Sequence, residues 1–210
     1  MSNESRTKRG RPRDPERMKR VIEAASAQFL EQGYERASME AVALAAGVSK
    51  MTLYNYFPSK DALFEACVAS RTDGIFADVS DDRLDPTQPE EALGLIAQQF
   101  LALMRADDVL RIHRILFGLA STHPEVCARF FKAGPERITA RVRGYLESAV
   151  AAGSLRIDNT ALAADQFLAL QLGRPHTRAT LGLGTPPAEE DVRLIRDNVI
   201  LFLARYGNPG

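Results

Sequence analysis

The sequence predicts an all-α fold, with an N-terminal helix-turn-helix unit of three helices linked to a larger C-terminal helical domain. Three observations carry this. Apolar residues recur at three- and four-residue spacing along most of the chain, and nowhere do they alternate as a half-buried strand would. Gly33, Gly47, Pro58, Pro135 and Gly153 fall at the ends of those stripes, where helices start and stop. Residues 38–64, SMEAVALAAGVSKMTLYNYFPSKDALF, hold two very short helices back to back.

Residues 1–13, MSNESRTKRGRPR, carry no apolar periodicity and are expected to be disordered in the free protein. Within them Arg9, Arg11 and Arg13 surround a Gly and a Pro, a pattern resembling the arginine hook that lies along a narrow A·T minor groove. The same residues would also serve as a solubilising basic tail. The first helix is expected from Pro15 to Gln32, with Met18, Val21, Ile22, Ala25 and Phe29 as its stripe and Gly33 as its stop. Ser38 can cap a helix running to Ala46, with Val42, Ala43 and Ala46 on one face. Gly47 follows where a left-handed residue ends a helix. Ser49 can cap a further helix from Lys50 to Phe57, which Pro58 ends.

That last helix has an unusual outer face. Leu53 and Phe57 turn inward with Val48, leaving Lys50, Met51, Thr52, Tyr54, Asn55 and Tyr56 outside, with no acid among them. Such groups can bond phosphates and base edges, and the second helix of a helix-turn-helix enters the major groove. Charge agrees. Residues 1–60 hold 11 Lys/Arg against 7 Asp/Glu and residues 61–210 hold 16 against 20, so a net charge of zero hides a basic N-terminal third.

A helix from Ser59 to about Ala77, with Leu63, Phe64, Cys67 and Val68 inward, is the natural mechanical link to the next domain. Asp78 to Pro89 is acidic, lacks periodicity and reads as a connector. Beyond it, stripes define helices around Leu93–Leu103, Val109–Leu119, Pro124–Lys132 and Pro135–Ala149, the last stopped by Gly153. Asp158 or Asn159 caps the next helix, which Gly173 and Pro175 should break or bend. Gly182 to Pro187 is loop. Val192, Ile195, Val199 and Phe202 are the stripe of a final helix, whose Leu194, Leu201 and Leu203 lie off that stripe, as a helix packed on two surfaces requires.

Here a resemblance enters. GVSKMTLYNYFPSKDALF, extended back through Ala24, Phe29, Gly33 and Tyr34, resembles the DNA-binding domain of the TetR/AcrR family of bacterial regulators over residues 17–66. More weakly, the Ala-Gly-Pro helix start at 133–135, the Gly-Ser-Leu-Arg-Ile-Asp turn at 153–158 and Ala-Ala-Asp-Gln-Phe at 163–167 are similar to the AefR-like C-terminal domain. Pro175 departs from the uninterrupted helix expected there. The resemblance implies a basic arm over 1–14, a DNA-binding domain over 15–66 and an effector-binding, dimerising domain over 67–210. It implies a homodimer on a palindromic operator in double-stranded DNA and a small-molecule effector.

On that resemblance Lys60, Thr52 and Tyr56, with the arm, would hold phosphates. Lys50, Met51, Tyr54 and Asn55 would read bases, with Ser38 and Ser49 at the same surface. Met51 replaces the small residue often found at its position. Phe100, Met104, His113, Leu116, Phe117, Phe130, Phe131, Phe167 and Gln171 are the candidates for lining an effector pocket, although each residue type is equally at home in a core. His113 stands among apolar neighbours, while His123 and His176 lie near helix ends and are expected to be solvated.

The function classes excluded follow from what is missing. No phosphate-binding loop, serine-nucleophile elbow, zinc-binding His pair or carboxylate cluster with a His is present, so the sequence predicts no enzyme, cofactor or metal. Cys67 and Cys127 are isolated, as core thiols in a reducing cytoplasm would be. No apolar run approaches the ~18 residues of a membrane span. The runner-up reading is an architectural DNA-binding protein without an effector.

Overall fold

The computed structural model describes residues 14–77 and 84–208. Among the described residues it is all-α. The elements are α1 (Pro15–Arg36), α2 (Met39–Ala45), α3 (Lys50–Tyr56), α4 (Lys60–Ala77), α5 (Pro89–Arg105), α6 (Asp107–Leu119), α7 (Pro124–Ala133), α8 (Pro135–Ala151), α9 (Thr160–Thr180) and α10 (Ala188–Tyr206). Arg9, Arg11 and Arg13 lie outside the described residues, as does the first half of the expected connector, residues 78–83.

Asp14 caps α1, its Oδ1 accepting from the backbone of Glu16 at 3.2 Å and Arg17 at 3.4 Å, worth about 1 kcal/mol for such a cap. Gly33 ends the regular helix as expected, but one further turn follows it to Arg36. Its φ of 76° and ψ of 170° lie in a region essentially confined to glycine. Arginines reach carbonyls beside the break: Arg36 Nε donates to the Gln32 carbonyl at 3.1 Å, and Arg111 Nη2, from α6, donates to the Leu30 carbonyl at 2.9 Å.

Two cores follow. One joins α5, α8, α9 and α10 through Leu93, Ile96, Phe100, Val142, Leu146, Phe167 and Phe202. The other fills the helix-turn-helix unit with Val21, Phe29, Val42, Leu53, Leu63 and Phe64, and it also takes in Leu116, Leu119 and Val126 from α6 and α7. The N-terminal unit is thus packed onto the larger domain by side chains as well as by the through-running α4. At its centre Phe64 sets its ring edge against Phe29 (centroids 5.2 Å apart) and Tyr34 (5.4 Å).

Several expectations need amendment. The helix expected from Ser59 starts one residue later, with the Ser59 hydroxyl accepting from the Ala62 N–H at 3.1 Å. Part of the connector is built: the Asp85 carboxylate accepts from the Thr87 N–H and hydroxyl, and Leu84 packs on the larger core. Asn159, rather than Asp158, caps α9. α9 breaks at Gly173 (φ 47°, ψ −159°) and resumes to Thr180, so Gly173 and Pro175 bend the helix without ending it. Val192, placed on the inner stripe of the last helix, is 66% exposed, because α10 turns inward only through Val199 and Phe202 with Ile195 beside them. A short clip closes the domain, Arg156 N–H donating to the Tyr206 carbonyl at 2.8 Å and Asn208 N–H to that of Ser154 at 3.0 Å.

Gly33→Ala should lower stability by about 1–3 kcal/mol, the scale of a strained backbone residue. Urea unfolding checks this, and a variant as stable as the parent would mean the break relaxes freely.

Candidate DNA-binding surface and ligand cavity

The outer face is assembled from two capped helices. Ser38 Oγ accepts from the Ala41 N–H at 3.2 Å and Ser49 Oγ from the Thr52 N–H at 3.1 Å, so both serines are engaged in starting α2 and α3. Gly47, at φ 65°, makes the turn between them. Leu53 is fully buried and Phe57 nearly so, which fixes the rotation of α3 and leaves Lys50, Met51, Tyr54 and Asn55 outward. Met51 is 72% exposed, an unusual cost for an apolar side chain facing water alone. Thr52 and Tyr56 flank this face, half-buried.

Electrostatics narrow the roles. Lys50 pairs with Glu40 of α2, and the hydrogen bond between them holds Glu40 below the usual carboxylate range and Lys50 above the usual amine range. Lys50 must leave that partner to reach DNA. Tyr56 Oη accepts from the Asp14 N–H at 3.3 Å, tying α3 to the start of α1. Lys60 turns inward: Nζ donates to the carbonyls of Glu35 (3.0 Å) and Ala37 (3.3 Å) and sits 4.6 Å from the Tyr34 ring centroid. The Tyr34 hydroxyl donates to Asp61, and burial raises its pKa far above the ordinary phenol range.

Behind this unit lies an apolar cavity of ≈ 390 Å³, within the range of small-molecule sites. Of the sequence candidates, Phe100, Met104, His113, Phe130 and Phe131 line it. Four do not. Leu116 packs into the core of the helix-turn-helix unit, and Phe117 is 71% exposed. Phe167 is fully buried against Phe202, its ring centroid 5.1 Å away. Gln171 is fully buried too, donating to the Phe167 carbonyl and accepting from Asn198.

Sequence reasoning missed the wall that the N-terminal unit contributes: Ser26, Phe29 and Leu30 of α1, and Phe64, Cys67 and Val68 of α4. Phe29, Phe64, Cys67 and Val68 read as ordinary stripe positions and Ser26 and Leu30 lie off the stripe, and no local signal separates a core residue from one beside a void. It also missed Arg71 and Asp108, which line the cavity and pair at 3.1 Å between α4 and α6.

His176, expected in solvent, is half-buried with its ring 5.8 Å from His113, because the resumed end of α9 folds back toward α6. His113 also meets Phe130 edge to face at 5.7 Å. Burial first, then the neighbouring His176, depresses its pKa from an ordinary 6.5 to about 4. His113 is therefore a neutral imidazole at physiological pH, with one donor and one acceptor to offer a ligand. Cys67 is equally uncharged, burial pushing its thiol up to about 11.

A helix-turn-helix whose second helix carries no acid, backed by a helical domain enclosing an apolar cavity, defines the DNA-binding regulators. Comparison with known proteins narrows the class. Residues 21–67 match the bacterial regulatory proteins of the tetR family, and residues 91–208 match the C-terminal domain of AefR-like transcriptional repressors. The chain belongs to the TetR family of transcriptional regulators. The activator FasR of Mycolicibacterium smegmatis is 32% identical over 119 residues, 56% of this chain and 53% of that protein. The repressor KstR of Rhodococcus jostii is 35% identical over 114 residues, 53% of each. The chain thus spans about half the length of these curated relatives. Among solved structures, the flavonoid-responsive regulator FrrA is 32% identical with a TM-score of 0.71, covering 94% of this chain and 100% of that one. A tetR-family regulator from Mesorhizobium loti reaches a TM-score of 0.74 at 27% identity, with the same coverage of both chains. No described helix is long and apolar enough to cross a membrane.

The depressed His113 pKa makes a signed prediction. The folded state favours the neutral ring, so its contribution is intact above pH 6.5 and is lost as pH falls from 6.5 toward 4. Replacing the ring by Phe removes that loss, worth about 2 kcal/mol. Urea unfolding from pH 7 to pH 4 should therefore fall less steeply for His113→Phe than for the parent. Parallel curves would place the acid sensitivity elsewhere, His176 first.

Proposed function

We propose that this TetR-family regulator is a homodimeric repressor that binds a palindromic operator and leaves it when a small, largely apolar effector enters the cavity. In this reading residues 15–66 form the DNA-binding domain and residues 67–210 the effector and dimerisation domain. The carrying observation is the cavity behind the helix-turn-helix, lined by apolar side chains with His113, Arg71 and Asp108 as convergent polar groups. A flavonoid-responsive protein 32% identical along nearly the whole chain favours a planar aromatic effector with hydroxyl or carbonyl groups. A neutral His113 suits such a group better than a charged one would.

Met51, Tyr54 and Asn55 are the proposed base readers, with Lys50 joining them once released from Glu40. Thr52 and Tyr56 take phosphates, and Arg9, Arg11 and Arg13 supply sequence-independent affinity. Lys60 acts at one remove by holding the Glu35 and Ala37 carbonyls at the entrance to α2. Leu162, Val192, Ile200 and Leu201 are at least half exposed on α9 and α10, more apolar surface than two helices ordinarily leave in water. This supports a partner subunit there. Symmetry then sets two copies of α3 about one turn of DNA apart, or a multiple.

A second reading is a DNA-binding protein without an effector. It draws on 31% identity over 105 residues to the nucleoid occlusion factor SlmA of Haemophilus influenzae. Selection of bound sequences from a random DNA pool, repeated with Asn55→Ala and Thr52→Ala, tests the site. Asn55→Ala should relax preference at one base step per half-site, costing about 1–3 kcal/mol there. Thr52→Ala should weaken every sequence alike. Uniform loss in both variants would overturn the assignment of readers. Failure of flavonoids and other apolar aromatics to release the selected DNA would favour the second reading.

A further inference from the structure

The cavity is completed by the DNA-binding unit itself. We infer that a bound effector touches α1 directly, through Ser26, Phe29 and Leu30, and that this contact reaches the start of α2 through Tyr34 and the first turn of α4. The inference rests on the ligand-responsive reading above and adds to it a binding surface and a path.

The geometry is continuous. Ser26, Phe29 and Leu30 of α1 line the cavity together with Phe100, Met104 and Leu168. Phe29 belongs to the aromatic cluster of the N-terminal unit, with Phe64 5.2 Å and Tyr34 5.9 Å away, centroid to centroid. Tyr34 carries Lys60 over its ring and donates to Asp61. Lys60 in turn holds the Ala37 carbonyl, next to Ser38, whose hydroxyl caps α2. A molecule pressing on Phe29 therefore acts on a close-packed chain of contacts that ends where α2 is launched. Close-packed side chains pass displacement on, because no void absorbs it.

The other end of the same wall is anchored. Arg111 of α6 holds the Leu30 carbonyl at 2.9 Å, while Asp108, Ile112 and His113 from the same helix line the cavity. An effector between α6 and α1 pushes against a hydrogen bond that resists their separation. The easier movement is rotation of α1 about that point, carrying Phe29 and Tyr34 with it. α4 adds its own wall through Phe64, Cys67 and Val68, so both helices that frame the helix-turn-helix sense one ligand.

The test uses the full chain and the dye anilinonaphthalene sulfonate as a probe of the cavity. Hydrogen exchange with and without saturating dye should show protection of backbone amides over residues 22–33 together with those of α5 and α6. Protection confined to α5–α9, with α1 unchanged, would overturn the inference while leaving a ligand cavity in place. Ser26→Leu, which fills the void from the α1 side, should weaken dye binding by about tenfold with the helical circular dichroism retained. Dye affinity equal to the parent's would likewise overturn it. Ser26→Val is the smaller substitution should Ser26→Leu fail to fold, with the same two outcomes in smaller measure. No dye binding at all by the parent chain would sink the ligand-responsive reading, and this one with it.

Discussion

The structure depends on one backbone constraint, the left-handed break at Gly33. A continuous helix through that point would carry Tyr34 around the axis by the usual turn and point α2 elsewhere. The break instead sets Tyr34 and Phe29 together against Phe64, so that α1 and α4 meet through three rings. Arginines from both units donate to carbonyls beside it, Arg36 from α1 and Arg111 from α6. A single glycine thus bends the chain between α1 and α2 next to the point where the larger domain holds α1.

What was legible in the sequence was whatever has a local cause. The two caps at Ser38 and Ser49, the turn at Gly47 and the inward pair Leu53 and Phe57 follow from residue chemistry within a few positions, and each is found where the spacing puts it. The cavity was legible only in part. Phe100, Met104, His113, Phe130 and Phe131 reach it, whereas Phe167 and Gln171, on the same stretch of α9 as Leu168, are turned into the core. Stripe periodicity reports which residues are buried and says nothing about which burial leaves a gap. Lys60 shows the same limit for charge: the resemblance implies a phosphate contact, and no local signal in the sequence shows that its ammonium also reaches two helix-end carbonyls and an aromatic ring.

The contacts across the domain boundary differ in strength, and the difference decides what can transmit a signal. Arg129 of α7 pairs with Asp61 and Glu65 of α4, all partly exposed side chains. Pairs of that kind contribute little and weaken with salt. His123 lies near Glu35, 3.6 Å away, and counts as an ion pair only when protonated. None of these can hold α1 against α6 rigidly.

The apolar contacts can. Leu116, Leu119 and Val126 enter the core of the N-terminal unit, burying surface that separation would return to water at roughly 25 cal/mol per Å². An effector able to change DNA affinity must therefore act on packing rather than trade one surface ion pair for another. The cavity lies beside that packing, with Phe64 shared between the two and Ile112 and Phe130 bordering both. Coupling of the proposed kind would be reciprocal: whatever free energy an effector spent loosening α1 and α4 from their DNA-bound positions, bound DNA would exact from effector affinity. Under that reading a wall shared between the two units would make the exchange direct, with DNA and effector competing over the placement of the same side chains.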